Sequence, residues 1–254
     1  MKTAALELMR KKLAAQQAVY GIWITLESPS ITEIAVHCGL DWIVIDAEHG
    51  HLDWHNITEH IRAAVRSNTV VLVRISHIDE GIIKRVLDIG ADGIVVPHVE
   101  TVDDWNKALA YARYPPNGIR GIGAERATKW GSAFAQHVAD ADKHLMMIPI
   151  IESVKGGKNI DEIIGADNTE IIFFGPADYS ASAGHAGEWE GKGIAETIND
   201  LKDKIIAAGK NCGVMIRSKE DRDHRYQQGF RMLAIGTDAG LILKTIHSFS
   251  LIIL

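Results

Sequence analysis

Two acids in this chain each directly follow an apolar run: Glu152 comes after Met146-Met147-Ile148-Pro149-Ile150-Ile151, and Asp178 after Ile171-Ile172-Phe173-Phe174-Gly175-Pro176-Ala177. Runs of that length and composition read as buried strands. Two consecutive buried strands, each running into a carboxylate, put two oxygen ligands side by side at one rim of a parallel sheet. That donor set suits a hard divalent cation such as Mg²⁺ or Mn²⁺, with water and substrate completing the octahedron. Either acid alone reads more readily as a cap on the helix that follows its strand, and it is their pairing that favours a ligand pair. Three more apolar runs end in chemistry: Asp46-Ala47-Glu48-His49, Arg74, and Gly236-Thr237-Asp238. They supply a histidine that titrates near neutral pH, an acid three residues before it, and a guanidinium for a carboxylate or a developing oxyanion. The sum is a proton-abstraction site with a Lewis acid.

Each element has a plainer reading. His49, His51 and His55 fit a solvated loop, and their H-x-H-x₃-H spacing is a weak zinc pattern. Arg74 alone fits a structural salt bridge. Gly236-Thr237-Asp238-Ala239-Gly240 resembles the phosphate loops found after late barrel strands, although glycine at such turns is commonly steric. None of the candidate strands contains a lysine, and Lys155 and Lys219 fall after strands. A Schiff-base carbanion route is therefore disfavoured against a metal-stabilised enolate.

The elements that must position these groups alternate along the chain. Strands are expected at Gly21–Leu26, Trp42–Asp46, Val70–Arg74, Gly93–Pro97, Met146–Ile151, Ile171–Phe174, Gly213–Ile216 and Arg231–Ile235. Helices are expected at Ser30–Cys38, His55–Val65, Glu80–Ile89, Val102–Tyr111, Lys158–Ile164, Ile194–Ala208, Lys219–Gln227 and Gly240–Leu254. Eight βα units in one α/β domain over residues 1–254 make a closed (β/α)₈ (TIM) barrel, with an open doubly wound sheet as the alternative. The irregular stretch Tyr114–Phe134 reads as an active-site loop.

With 46% hydrophobic and 24% charged residues, the composition is that of an ordinary soluble domain. A net charge of -6 without any basic run argues against a nucleic-acid partner. Cys38 and Cys212, far apart and in apolar segments, are expected to be buried reduced thiols. Residues 1–20 read as an amphipathic helix and not a signal peptide, so a cytoplasmic protein is expected. The apolar run Leu241–Leu254, interrupted by Lys244 and His247, is too short to span a membrane and is expected to pack against a partner subunit.

Asp46-Ala47-Glu48-His49, Arg74, Arg113-Tyr114-Pro115-Pro116-Asn117-Gly118-Ile119-Arg120-Gly121, Ile151-Glu152-Ser153 and Gly175-Pro176-Ala177-Asp178-Tyr179-Ser180 occur in collinear order, and with them the chain resembles the HpcH/HpaI class II pyruvate aldolases over residues 11–245. The resemblance implies metal-dependent, reversible aldol cleavage of a 4-hydroxy-2-oxo acid to pyruvate, or an analogue, and an aldehyde through a metal-bound enolate. It implies Glu152 and Asp178 as ligands of Mg²⁺, Mn²⁺ or Co²⁺, His49 as base, Asp46 orienting His49, and Arg74 stabilising the enolate. Substrate contacts are implied for Arg74, for Gly175, Pro176, Ala177 and Asp178, where backbone amides would take the pyruvate carboxylate, and for Trp23. Asp88 matches a family aspartate that reaches the histidine of a neighbouring subunit, although in this sequence it looks like a solvent-facing helical acid. The family pattern also implies a homohexamer, a trimer of dimers, that exchanges its last helix. Two positions depart from it: Ile150 stands where relatives carry glutamine, and Ala47 where they carry glycine. Losing the amide would favour a less hydroxylated or bulkier aldehyde, or another donor. Oxaloacetate decarboxylation and citrate-lyase-like cleavage of an acyl-CoA are the alternatives on the same barrel.

Overall fold

Eight parallel strands close on themselves in sequence order, β1 (Val19–Ile24), β2 (Trp42–Asp46), β3 (Val70–Arg74), β4 (Gly93–Val96), β5 (Met146–Ile151), β6 (Ile171–Phe174), β7 (Asn211–Met215) and β8 (Met232–Thr237), with β8 pairing back onto β1. The chain is seen in a computed structural model that describes residues 1–249. Helices return along the outside between successive strands, which gives the (β/α)₈ barrel. Strands β2 to β6 are buried on both faces, so they read as continuous apolar runs and not as alternation. One apolar layer lies between barrel and helices; Ile45, Val73, Ile94 and Phe174 belong to it. The other fills the interior with Trp42, Leu72, Met146 and Phe173.

The amphipathic helix Thr3–Ala14 closes the N-terminal end of the barrel. Its Leu6, Met9 and Leu13 join the interior cluster. Its cations reach acids placed just before alternate strands: Lys2 is 3.4 Å from Asp92, Arg10 is 2.7 Å from Glu170, and Lys12 is 2.5 Å from Asp41. The opposite, C-terminal end stays open, and each strand delivers its last residue there. Register puts Asp46 beside Arg74 and Ile151 beside Phe174 across neighbouring strands.

Several expected features are corrected. Tyr114–Phe134 follows the helix Val102–Ala112, which has already returned to the N-terminal end; Arg126 donates to Ile89 O and Arg120 to Asp88. On its own chain this segment is thus at the end of the barrel away from the strand termini, and it is not a loop of that site. Cys38 is exposed, at the C-cap of Pro29–His37, whereas Cys212 is buried. The final helix runs Asp238–Ser248, and the expected continuation to Leu254 passes outside the described residues. No helix among the described residues is long and apolar enough to cross a membrane.

Candidate active site

Arg74 ends β3 inside the barrel mouth, 9% exposed, and is gripped from three sides. Its Nε and Nη2 donate to the two carboxylate oxygens of Asp46, the last residue of β2, at 2.9 and 2.5 Å. Its Nη1 lies 2.9 Å from Glu48 Oε2, and its guanidinium stacks 4.6 Å from the Trp23 ring on β1. A bidentate pair of this kind fixes the plane of the guanidinium. Two of its five N–H groups are bonded to Asp46, which leaves three without a hydrogen bond among the described residues.

Glu152 follows β5, 4% exposed. Burial pushes its carboxyl above the usual carboxylate range, and the charges of Glu48 and Asp178 add to the rise; a hydrogen bond from the His98 backbone N–H, and then the charge of His98, oppose it. That bond is 2.7 Å long, from the His98 N–H to Glu152 Oε1, and His98 adopts a left-handed backbone (φ 51) to make it. Such a conformation in a residue other than glycine costs about 1 kcal/mol or more and clusters at functional sites. The His98 ring sits between two acids, 3.5 Å from Glu48 Oε1 and 3.5 Å from Glu152 Oε1. Glu48 Oε2 is buried and accepts no hydrogen bond, its contact with Arg74 being an ion pair outside hydrogen-bond angles.

Asp178 lies in the first turn of Pro176–Ser182. Pro176 has no N–H to offer, and the Tyr179 N–H is bonded to Gly175 O, so the amides of Ala177 and Asp178 are the ones this turn leaves for an anion. Gly175 permits the close approach of β5 and β6: a Cβ there would sit 2.9 Å from both Cβ and Oε2 of Glu152. The strand ends enclose a cavity of ≈ 130 Å³, lined by Asp46, Arg74, Glu152 and Asp178 together with apolar and aromatic groups.

Other sequence candidates fall elsewhere. Asp46 does not hold the His49 ring. Its oxygens are occupied by Arg74 and by the backbone N–H groups of Glu48 and His49, at 3.1 and 3.2 Å, so it shapes the turn instead. The His49 imidazole is at the rim, 69% exposed, 3.9 Å from Glu48. His51 pairs with Glu27, and among the described residues no three His, Cys, Asp or Glu side chains converge as a metal cluster, so a zinc site built on His49, His51 and His55 is absent there. Asp88 is not a free solvent-facing acid. It closes Glu80–Asp88 at the N-terminal end of the barrel and accepts from Arg120 at 2.6 Å; Arg120 itself is 1% exposed. At Gly236–Gly240 a phosphate is displaced by the chain's own groups: the Asp238 carboxylate accepts from the Thr25 and Leu26 N–H groups, and Thr237 Oγ1 caps Gly240 N. Three site residues escaped the sequence reading. His98 directly follows Pro97 at the end of the fourth apolar run, and a polar residue in that place was the available signal. Glu48 was within the quoted motif but without a role. Trp189, in an irregular stretch, carried no signal.

The donor set fits a hard divalent cation. Glu152 and Asp178 offer carboxylate oxygens, one from a buried group that pairs with no lysine or arginine among the described residues, and two protein ligands leave positions for water and a chelating substrate.

Comparison with known proteins agrees with this arrangement. Residues 19–245 match the model of the HpcH/HpaI aldolase/citrate lyase family. The chain is 34% identical over 228 residues to the 5-keto-4-deoxy-D-glucarate aldolase of Salmonella paratyphi C, covering 90% of this chain and 89% of that protein. Its fold superposes on an HpcH/HpaI aldolase/citrate lyase family protein from Burkholderia cenocepacia with a TM-score of 0.90 at 27% identity, covering 96% and 97% of the two chains. An HpcH/HpaI aldolase from Desulfitobacterium hafniense gives 0.85 at 27% identity, covering 95% of each chain. With a family match over almost its whole length, a (β/α)₈ barrel and acids and arginine gathered at the strand ends, the chain belongs to the HpcH/HpaI aldolase/citrate lyase family.

Proposed function

We propose that this lyase catalyses reversible aldol cleavage of a 4-hydroxy-2-oxo acid to pyruvate, or a close analogue, and an aldehyde, with Glu152 and Asp178 holding Mg²⁺, Mn²⁺ or Co²⁺. The observation that carries the reading is the buried Glu152 carboxyl, raised by desolvation and by neighbouring acids, in one cavity with Asp178 and Arg74. When bound, the cation supplies Lewis-acid polarisation of the 2-oxo group. The chain's own groups do the rest. Arg74, pinned by Asp46 and Trp23, turns its spare N–H groups to the oxygen on which negative charge develops as the C3–C4 bond breaks. The Ala177 and Asp178 amides, at a helix N-terminus, receive the substrate carboxylate. His49 at the rim takes the proton of the C4 hydroxyl, leaving an enolate that is then protonated to pyruvate. A homohexamer is part of the same proposal. The exposed Ile242, Leu243 and Ile246 on Asp238–Ser248 give that helix an apolar face for a second copy to cover.

The test is a pyruvate-release screen of 4-hydroxy-2-oxo acids after chelation, with each metal added back. Turnover is expected to vanish on chelation and return with metal, and Glu152→Ala should abolish the return while keeping its circular dichroism spectrum. Wild-type turnover in Glu152→Ala would sink the metal assignment. His49→Ala should still bind pyruvate but exchange its methyl protons with solvent at least tenfold more slowly; an unchanged exchange rate would remove His49 as the base.

A further inference from the structure

Apart from its acids and Arg74, the cavity is lined unlike a sugar-binding surface. Trp189 comes from the segment between Pro176–Ser182 and Ile194–Ala207, and that segment is fastened down. Ser180 Oγ accepts from Gly191 N at 2.8 Å, and Glu190 pairs at 2.7 Å with Arg225, whose side chain is 3% exposed. The Trp189 ring lies 5.7 Å from the Arg217 guanidinium and lines the cavity, so its position is set before any ligand arrives. Its Nε1–H is buried with no acceptor in the protein. The same holds for Nε1–H of Trp23, a cavity residue only 4% exposed. Ile150 Cγ2 is 3.6 Å from where a Cβ on Gly175 would lie, which puts a branched apolar side chain next to the Glu152 carboxylate. Phe173 and Met215 continue the apolar wall.

A polyhydroxylated chain needs a donor and an acceptor for each hydroxyl it buries. Beyond the acids and Arg74, the lining side chains offer two indole donors, no further carboxylate or amide, and a single hydroxyl, Thr237 Oγ1, that already accepts from Gly240 N. We propose that Ile150 and Trp189 are specificity-determining residues and that the aldehyde partner has an apolar body, alkyl or aryl, in place of a hydroxylated chain. The proposal rests on the aldol reading above and adds the class of aldehyde to it.

The experiment measures, with Mn²⁺-loaded wild-type enzyme, deuterium exchange at the pyruvate methyl group and then kcat/KM for condensation of pyruvate with benzaldehyde and with D-glyceraldehyde. Exchange together with at least a tenfold preference for benzaldehyde is the expected result. Exchange with equal or better use of glyceraldehyde overturns the inference and leaves the aldol reading standing; absence of exchange overturns the aldol reading and the inference with it. Ile150→Gln and Trp189→Gln should each cut the benzaldehyde-to-glyceraldehyde ratio at least fivefold, and an unchanged ratio in both folded variants removes these two residues as its source. Should either variant fail to fold by circular dichroism, the wild-type ratio still decides for or against the apolar aldehyde.

Discussion

Glu152 owes its setting to a neighbour that has no side chain. Gly175 at the end of β6 lets Glu152 stand within 2.9 Å of the space a Cβ would fill, and the backbone there has an ordinary φ of -103°, so the requirement is room and not conformation. Gly175→Ala should therefore fold and still fail at the chemistry. The added methyl must displace both Cβ and Oε2 of Glu152, and a carboxylate moved by even part of an ångström misplaces everything it positions. We expect kcat/KM to fall at least tenfold, with a stability loss of about 1–2 kcal/mol by urea denaturation. Gly165→Ala is the control: it lies in a helix with nothing within 4 Å of the new Cβ, and activity should not move. Full activity in Gly175→Ala would mean that the position of Glu152 is not critical.

At the scale of elements, the barrel seam between β8 and β1 depends on one buried acid. Asp238 is 2% exposed and accepts from Thr25 N at 2.9 Å, Thr25 Oγ1 at 2.7 Å and Leu26 N at 3.0 Å. Asp238→Ala strands two backbone N–H groups, at about 1–3 kcal/mol each, so a loss of about 3 kcal/mol is expected in the urea unfolding free energy. A change below 0.5 kcal/mol would show that the seam does not rely on this carboxylate. The same bonds explain why β1 was legible in the sequence but not its end. Thr25 and Leu26 continue the apolar run and were read as strand, yet their amides turn to Asp238, so β1 stops at Ile24. Strands β2, β3, β5 and β6 were readable to the residue because burial on both faces leaves no polar interruption to blur their limits. The expected helix Lys158–Ile164 splits into Val154–Lys158 and Ile160–Gly165, because Asn159 leaves helical geometry and its side chain donates to Glu100 O, a contact 59 residues away. Phe134–His144 went unread because only Ala141 and His144 of its residues are fully buried, a stripe too thin to show as periodicity. The site divides in the same way. Glu152, Asp178 and Arg74 were readable because each closes an apolar run. The ties from Asp46 to Arg74 and from His98 to Glu152 depend on strand register and a left-handed turn, which local sequence does not reveal.

For the whole molecule, one contribution to the response to acid arises far from the chemistry, where the segment after Val102–Ala112 packs against the chain start. His137 is half-buried against Tyr114, with ring centroids 6.0 Å apart, and its Nε2 has no partner. Burial first, then the positive charges of the N-terminus and Arg120, lower its pKa from 6.5 to about 4. The folded state thus keeps this ring neutral where the unfolded chain protonates it. Between pH 6.5 and about 4 the unfolded state binds more protons, so stability rises with pH across that window and falls on acidification. Above 6.5 both states are neutral at this ring and it contributes no slope. Within the window the limit for one proton is about 1.4 kcal/mol per pH unit, and partial exposure reduces it to about 1. His137→Phe removes the titrating group and keeps an aromatic ring against Tyr114. Its stability relative to wild type should therefore improve by about 1–2 kcal/mol between pH 7 and pH 5 in urea titrations. Parallel pH profiles for the two proteins would remove His137 as a source of acid sensitivity and shift attention to the buried carboxylates.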